Sequence, residues 1–382
     1  VISNGVDGYA TSQASGDLPP VITILPGQAG TGSEGRAMME LIYDMAPGAS
    51  LYYATALSTQ ANFAQNILDL RTAGCDIIVD DVSYYAEGVF QDDNVASAIN
   101  TVTASGALYF SSAGNSGNKD DGSAGVWEGD FTDGGAVGLF PGGTVNNFGS
   151  TLYDAVTATT GFMVLKWADP LGQSANDYDI YVTDAGGTQI LDQSTDIQDG
   201  DDIPFEIMGQ CFTGERIYIV KKDGSAARAL HLNSNRGRLS ITTPGVMYGH
   251  NAAASVYTVA ATPAANAYTG IAGSPAGPYP NPFNSGNTVE IFSSDGPRRM
   301  FFNPDGSEIT PGNISFSTNG GILLQKPDIT AADGISTATP GFQPFFGTSA
   351  AAPHAAAVAA LLKEGKQKFF SQTITPAETR SI

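Results

Sequence analysis

Strand-like and helix-like segments alternate through the first third of this chain, and that alternation restricts its fold more than any other feature. The spacing predicts a helix over 33–44, ended before Ala46-Pro47-Gly48, a short apolar strand over 51–56, and a helix over 61–73 stopped by Gly74. A buried strand over 76–82, a helix over 94–104 stopped by Gly106, and a strand over 107–112 follow. Strands that alternate with helices over short connections form a parallel sheet covered on both faces. Functional groups of such sheets gather at the carboxyl ends of the strands.

Beyond residue 127 the texture changes. Strand-like runs at 162–167, 178–182 and 216–220 are separated by Gly, Asp and Asn turns with no helical pattern between them, which predicts an antiparallel β-sandwich. Another buried strand at 255–261 marks the return of the α/β texture. The expected plan is therefore an α/β unit in two parts, 1–127 and 246–382, with a β-sandwich inserted at 128–245. Asn176-Asp177-Tyr178-Asp179-Ile180-Tyr181 in that insert resembles accessory sandwiches attached to secreted bacterial peptidases.

Composition excludes several function classes. With 17 Lys and Arg against 38 Asp and Glu, the net charge of −21 argues against a nucleic-acid or anionic-membrane partner. No apolar run approaches the ~20 residues a membrane span needs. The abrupt opening Val1-Ile2-Ser3-Asn4-Gly5 reads as the end of a strand, so the lack of a signal peptide carries little weight. Cys75 and Cys211 fall in different units and are expected to be separate buried thiols. Arg298-Arg299 reads as a surface feature.

The chemistry is concentrated near the C-terminus. Gly347-Thr348-Ser349-Ala350-Ala351-Ala352-Pro353-His354 puts an unhindered serine at the start of an alanine-rich helical run, with Pro353 expected in its first turn. Small neighbours admit a substrate carbonyl, and a helix N-terminus offers unpaired N–H groups to a developing oxyanion. This segment resembles the nucleophile helix of the subtilisin-like serine peptidases. Phe110-Ser111-Ser112-Ala113-Gly114-Asn115-Ser116-Gly117 is similar to their oxyanion loop. Phe292 to Pro297 and Lys326-Pro327-Asp328-Ile329 resemble segments that precede the family's serine. The resemblance implies a subtilisin-like sheet, Ser349 as nucleophile, Asn115 as oxyanion donor and a polypeptide substrate. Turn chemistry is the plainer reading of Asn115.

The base departs from that family. Where the family has His-Gly-Thr, this chain has Glu34-Gly35-Arg36, and the aspartate of the family's first strand is replaced by Ser3. Of the three histidines, His231, His250 and His354, none has the motif of a general base. A glutamate in place of the histidine resembles the sedolisin branch of the clan, which uses Ser-Glu-Asp. The position one turn after the glutamate, where sedolisins carry their second acid, is Met38, and sedolisins have an aspartate where this chain has Asn115.

A partner for Glu34 is expected at the end of Cys75-Asp76-Ile77-Ile78-Val79-Asp80-Asp81, because two acids at the end of an apolar strand are expensive to bury without purpose. Strand alternation lets only one of them face Glu34. Ungapped comparison with subtilases favours Asp81, with Asp80 as second choice and a loop cap or cation site as the alternative. Glu40 and Asp44 are weaker candidates. Two carboxyls sharing a proton have their titrations pushed apart, so one stays ionised in acid where histidine, near ~6.5, is protonated.

No cofactor is required for this chemistry. Asp196, Asp199, Asp201 and Asp202 form a candidate calcium cluster, a solvated acidic turn being the alternative. The leading expectation is a secreted or cell-surface endopeptidase. A pseudopeptidase acting as a binding or scaffold module, and an esterase on the same machinery, are the competing readings.

Overall fold

The computed structural model describes residues 1–264 and 287–380. Its first part contains strands β1 (Ile2–Ser3), β2 (Thr23–Ile24), β3 (Tyr52–Thr55), β4 (Ile77–Asp80) and β5 (Leu108–Ser112). Helices α1 (Tyr9–Ser15), α2 (Glu34–Met45), α3 (Gln60–Thr72) and α4 (Asn94–Ala104) lie between them. Each helix and strand expected here is present, with no end moved by more than two residues. β16 (Tyr257–Pro263), β19 (Ile329–Asp333), α5 (Thr348–Phe370) and α6 (Pro376–Thr379) follow the intervening β-rich stretch.

Seven strands make one sheet in the order β19-β16-β5-β4-β1-β3-β2, and every pairing in it is parallel. The period of two along each strand sorts its side chains onto two faces. Val79, Phe110, Val259 and Ala261 pack with Met38 of α2 and Ala352 and Ala356 of α5. Ile2, Ala54, Ile78 and Tyr109 pack on the other face with Phe63 and Ile67 of α3 and Ile99 of α4. These layers make the fold a doubly covered α/β sheet, as the alternation predicts.

The stretch between β5 and β16 folds into two antiparallel sheets. One holds β6 (Val126–Asp130), β9 (Met163–Trp167), β12 (Phe205–Met208) and β14 (Ala229–Asn233). The other holds β7 (Gly143–Val145), β8 (Asp154–Ala158), β10 (Tyr178–Thr183), β11 (Ile190–Ser194), β13 (Arg216–Lys222) and β15 (Arg238–Leu239). Leu165, Trp167 and Leu232 of the first sheet meet Ile180, Val182 and Ile219 of the second in a common core. Further on, β17 (Arg298–Met300) and β18 (Ile322–Leu324) pair with each other.

Three local expectations are corrected. Arg298 is fully buried rather than superficial, because it pairs with Glu128 of β6 and donates to the carbonyls of Gly245 and Met247 at 3.3 and 3.0 Å. Helix α5 begins at Thr348, one residue before the serine, so Pro353 lies in the second turn. There its missing N–H costs the Ser349 carbonyl its intrahelical partner. Cys75 is only half-buried; both thiols are free.

Candidate active site

The carboxyl ends of β4 and β5 and the amino ends of α2 and α5 meet around a cavity of about 240 Å³. Glu34, Asp81, Asn115 and Ser349 all border it. The first turn of α2 can come this close to the sheet because residue 35 is glycine. A Cβ there would stand 2.4 Å from the Tyr53 ring. The α2 amino end is held by Asn4, whose side-chain oxygen accepts the Glu34 N–H at 3.1 Å.

Asp81 and Ser349 border the cavity together with Glu34 and are the side chains that act on its carboxyl. Burial raises the titration of Glu34 above the ordinary carboxylate range, against the contacts with Asp81 and Ser349 and the charge of Arg236. Asp81 is raised further, first by burial and then by the Glu34 charge. Ser3 adjoins it and works to lower it, although neither Ser3 Oγ nor Asp81 Oδ1 completes a hydrogen bond of ordinary geometry. Both carboxyls are raised, so the pair holds a proton to higher pH than two isolated carboxyls would.

Asp80 points elsewhere, as strand alternation requires. Its Oδ1 accepts from Ser111 Oγ at 2.9 Å and the Val82 N–H at 3.1 Å, and stands 3.2 Å from His250 Nε2. His250 is fully buried, with its Nδ1 2.6 Å from Glu87. Burial would lower its titration, but the charges of Glu87 and Asp80 outweigh this and hold it well above the ordinary value. His354 Nδ1 faces the Ala350 carbonyl at 3.3 Å, and His231 Nδ1 sits 2.7 Å from Glu128. None of the three borders the cavity. Glu40 is also committed elsewhere, pairing with Arg36 at 3.0 Å.

On the other side of Ser349, Asn115 Oδ1 accepts both the Thr348 N–H at 3.0 Å and the Thr348 hydroxyl at 2.9 Å. Since a backbone N–H can only donate, the oxygen of this amide is fixed and its Nδ2 faces away from Thr348. Gly347, with φ 106°, lets the loop approach: a Cβ there would stand 3.0 Å from that Nδ2. The Gly347 N–H is in turn accepted at 2.9 Å by Asp333 Oδ2 at the end of β19. Ser349 is the second residue of α5, so its own N–H belongs to the turn without intrahelical acceptors.

Two residues of the site escape sequence reasoning. Asp333 carries no local motif. Arg236 is brought in by the β14–β15 turn, more than a hundred residues from Glu34 and Asp81, the other charged residues lining the cavity. Of the acidic cluster, Asp199, Asp201 and Asp202 place carboxylate oxygens within 4.8 Å of one another; Asp196 is not among them.

Comparison with known proteins adds the following. The subtilase family model (Peptidase S8) matches residues 26–382. The Clostridium perfringens CspB protease is similar in structure, with a TM-score of 0.51 and 14% identity over 87% of this chain and 68% of that one. A lanthipeptide protease gives a TM-score of 0.38 and 12% identity, covering 100% of this chain and 77% of its own. No curated protein matches the sequence. Among the described residues, no helix is long and apolar enough to cross a membrane.

Proposed function

The chain belongs to the subtilase family of serine peptidases, and on that premise we propose that it hydrolyses peptide bonds through Ser349 with the Glu34–Asp81 carboxyl pair in place of a histidine. The observation that carries this reading is that Glu34, Asp81, Asn115 and Ser349 border one cavity, with no histidine among its described lining residues. Glu34 takes the Ser349 proton as Oγ attacks the substrate carbonyl, and returns it to the leaving amine. A proton shared with Asp81 orients Glu34 and keeps the pair from carrying two charges. Asn115 Nδ2 and the Ser349 N–H hold the oxyanion. Water then releases the acyl group by the same proton transfers in reverse order.

A catalytically silent binding module is the less favoured reading. Nothing in such a protein would require Glu34, Asp81, Asn115 and Ser349 to meet at one cavity. A secreted or cell-surface setting is in keeping with the family, and the two antiparallel sheets between β5 and β16 favour residues 128–245 as an inserted accessory unit.

A fluorophosphonate probe tests the reading directly. It is expected to label the native enzyme at Ser349 and to leave Ser349→Ala unlabelled and unable to cleave protein. Labelling elsewhere, or proteolysis by Ser349→Ala, would refute the assignment.

A further inference from the structure

The cavity around Ser349 contains two acids of the carboxyl pair and a single Lys or Arg among its described lining residues, Arg236. This residue comes from the antiparallel sheets, at the tip of the turn joining β14 to β15. Asn235 and Arg236 both have left-handed backbones, φ 41° and 67°, a conformation that non-glycine residues adopt only at a cost. The surroundings hold them there. Asn235 N–H donates to Asn233 Oδ1 at 2.8 Å, its carbonyl accepts the Gly161 N–H at 3.1 Å, and its Oδ1 accepts the Tyr85 hydroxyl at 2.8 Å. Tyr85, which also borders the cavity, is braced edge-on against Phe162 with ring centroids 4.2 Å apart.

The turn is therefore rigid, whereas the side chain at its tip is exposed and makes no ion pair among the described residues. A strained, anchored backbone that presents an uncommitted guanidinium to a reactive cavity is what recognition of an anion needs. Arg236 lines the same cavity as Ser349 and Glu34, so the group it meets lies close to the bond being cleaved. Such a cation is also scarce in a chain with 17 Lys and Arg against 38 Asp and Glu.

Resting on the serine-peptidase reading of this cavity, we propose that Arg236 is a specificity residue that binds the carboxylate of an Asp or Glu side chain flanking the scissile bond. The substrate class is thus polypeptides cut beside acidic residues. The antiparallel unit contributes to the site by delivering this side chain.

The test separates recognition from catalysis by using Ser349→Ala protein, which binds without turnover. Fluorescein-labelled octapeptides of alanine carrying one Glu, or its isostere Gln, at each central position are titrated by anisotropy. At one position Glu is expected to bind at least ~10-fold tighter than Gln, the scale of one charge-assisted contact. The preference should weaken with added salt, shrink to within about twofold in Ser349→Ala/Arg236→Gln, and survive in part in Ser349→Ala/Arg236→Lys. Equal or undetectable binding of the Glu and Gln peptides would overturn the proposal, as would a preference that persists without the guanidinium. An Arg236→Gln enzyme altered only in its pH–rate profile would make this residue a tuner of Glu34 and would also overturn it. A failure of the carboxylate-base reading shows separately, as lost sensitivity of turnover to Glu34, and leaves this binding result standing.

Discussion

Asn115 Oδ1 accepts the Thr348 N–H at 3.0 Å, and that one bond decides which end of the amide faces the reaction. With the oxygen committed, Nδ2 is the group available to an oxyanion formed at Ser349. Asn115→Ala should lower kcat by about 10²–10³, the scale measured for loss of such a donor in subtilisin itself, with little change in KM. Asn115→Asp is more discriminating. Its first oxygen would still accept from Thr348, so the second could donate only when protonated. Activity should survive in acid and vanish toward neutral pH. An Asn115→Asp enzyme with the native pH profile would contradict this role.

Arg298 joins parts of the chain that are far apart in sequence. Its guanidinium pairs with Glu128 of β6, which also holds His231 of β14, and it bonds the carbonyls of Gly245 and Met247. Burial works to raise Glu128, but the guanidinium and His231 outweigh it and hold its carboxyl below the usual range. Arg298→Ala would leave that charge buried and unpaired, at a cost of about 3–5 kcal/mol. Thermal unfolding should show a large fall in Tm for Arg298→Ala and a smaller one for Arg298→Met/Glu128→Gln. Limited proteolysis of the single variant should cut near residues 128 and 245, the two junctions proposed for the inserted unit. Equal losses in the two variants would show that the pair is not what stabilises this junction.

Much of this arrangement was legible in the sequence, and the exceptions share a cause. Alternation located the parallel sheet, and the period of two separated Asp80, facing His250, from Asp81, facing Glu34. Small residues around Ser349 marked the amino end of α5. Arg298 looked superficial because a charged pair gives no local sign of a carboxylate 170 residues away that closes on it. Arg236 was invisible for the same reason, since only the packing of the antiparallel sheets carries its turn to the cavity. Local patterns encode elements; long-range charge partners depend on how the elements dock.

Stability should rise on moderate acidification. Burial pushes Asp333 and Glu206 up to about 7, and Asp93 and Asp154 up to about 6. Each keeps its proton in the folded chain to higher pH than in the unfolded chain, where carboxyls titrate near ~4. Their contribution is therefore whole below ~4 and is lost as pH rises through 6 to 7. His250, raised by Glu87 and Asp80 against its burial, acts in the same direction. His231, lowered by burial to about 4, opposes them as pH falls. Tm at pH 5 should exceed Tm at pH 7, and Asp333→Asn should reduce the difference. A Tm that climbs steadily from pH 5 to pH 7 would contradict this balance.

Asp333 should also matter to the rate. Its Oδ2 fixes the Gly347 N–H, the backbone link between β19 and the residues that position Asn115 and Ser349. Asp333→Ala removes that acceptor and should lower kcat more than it raises KM, whereas Asp333→Asn retains an oxygen there and should recover most of the loss. Parallel losses in the two variants would make the site structural only.

The carboxylate base is tested most directly by kcat/KM against pH for the native enzyme, Glu34→Gln and Asp81→Asn. A general base contributes about 10²–10⁴ in rate, and a carboxamide of the same shape cannot take the proton. Glu34→Gln should therefore lose at least that much in kcat with KM nearly unchanged, and Asp81→Asn should act in the same direction. Their combined effect should be less than the product of the two, since both serve one proton transfer. The acid limb of the native profile should lie above the ordinary carboxylate range, as burial of Glu34 requires. Near-native kcat in Glu34→Gln, together with loss of activity on replacing His250 or His354, would show that a histidine is the base and that the account is wrong.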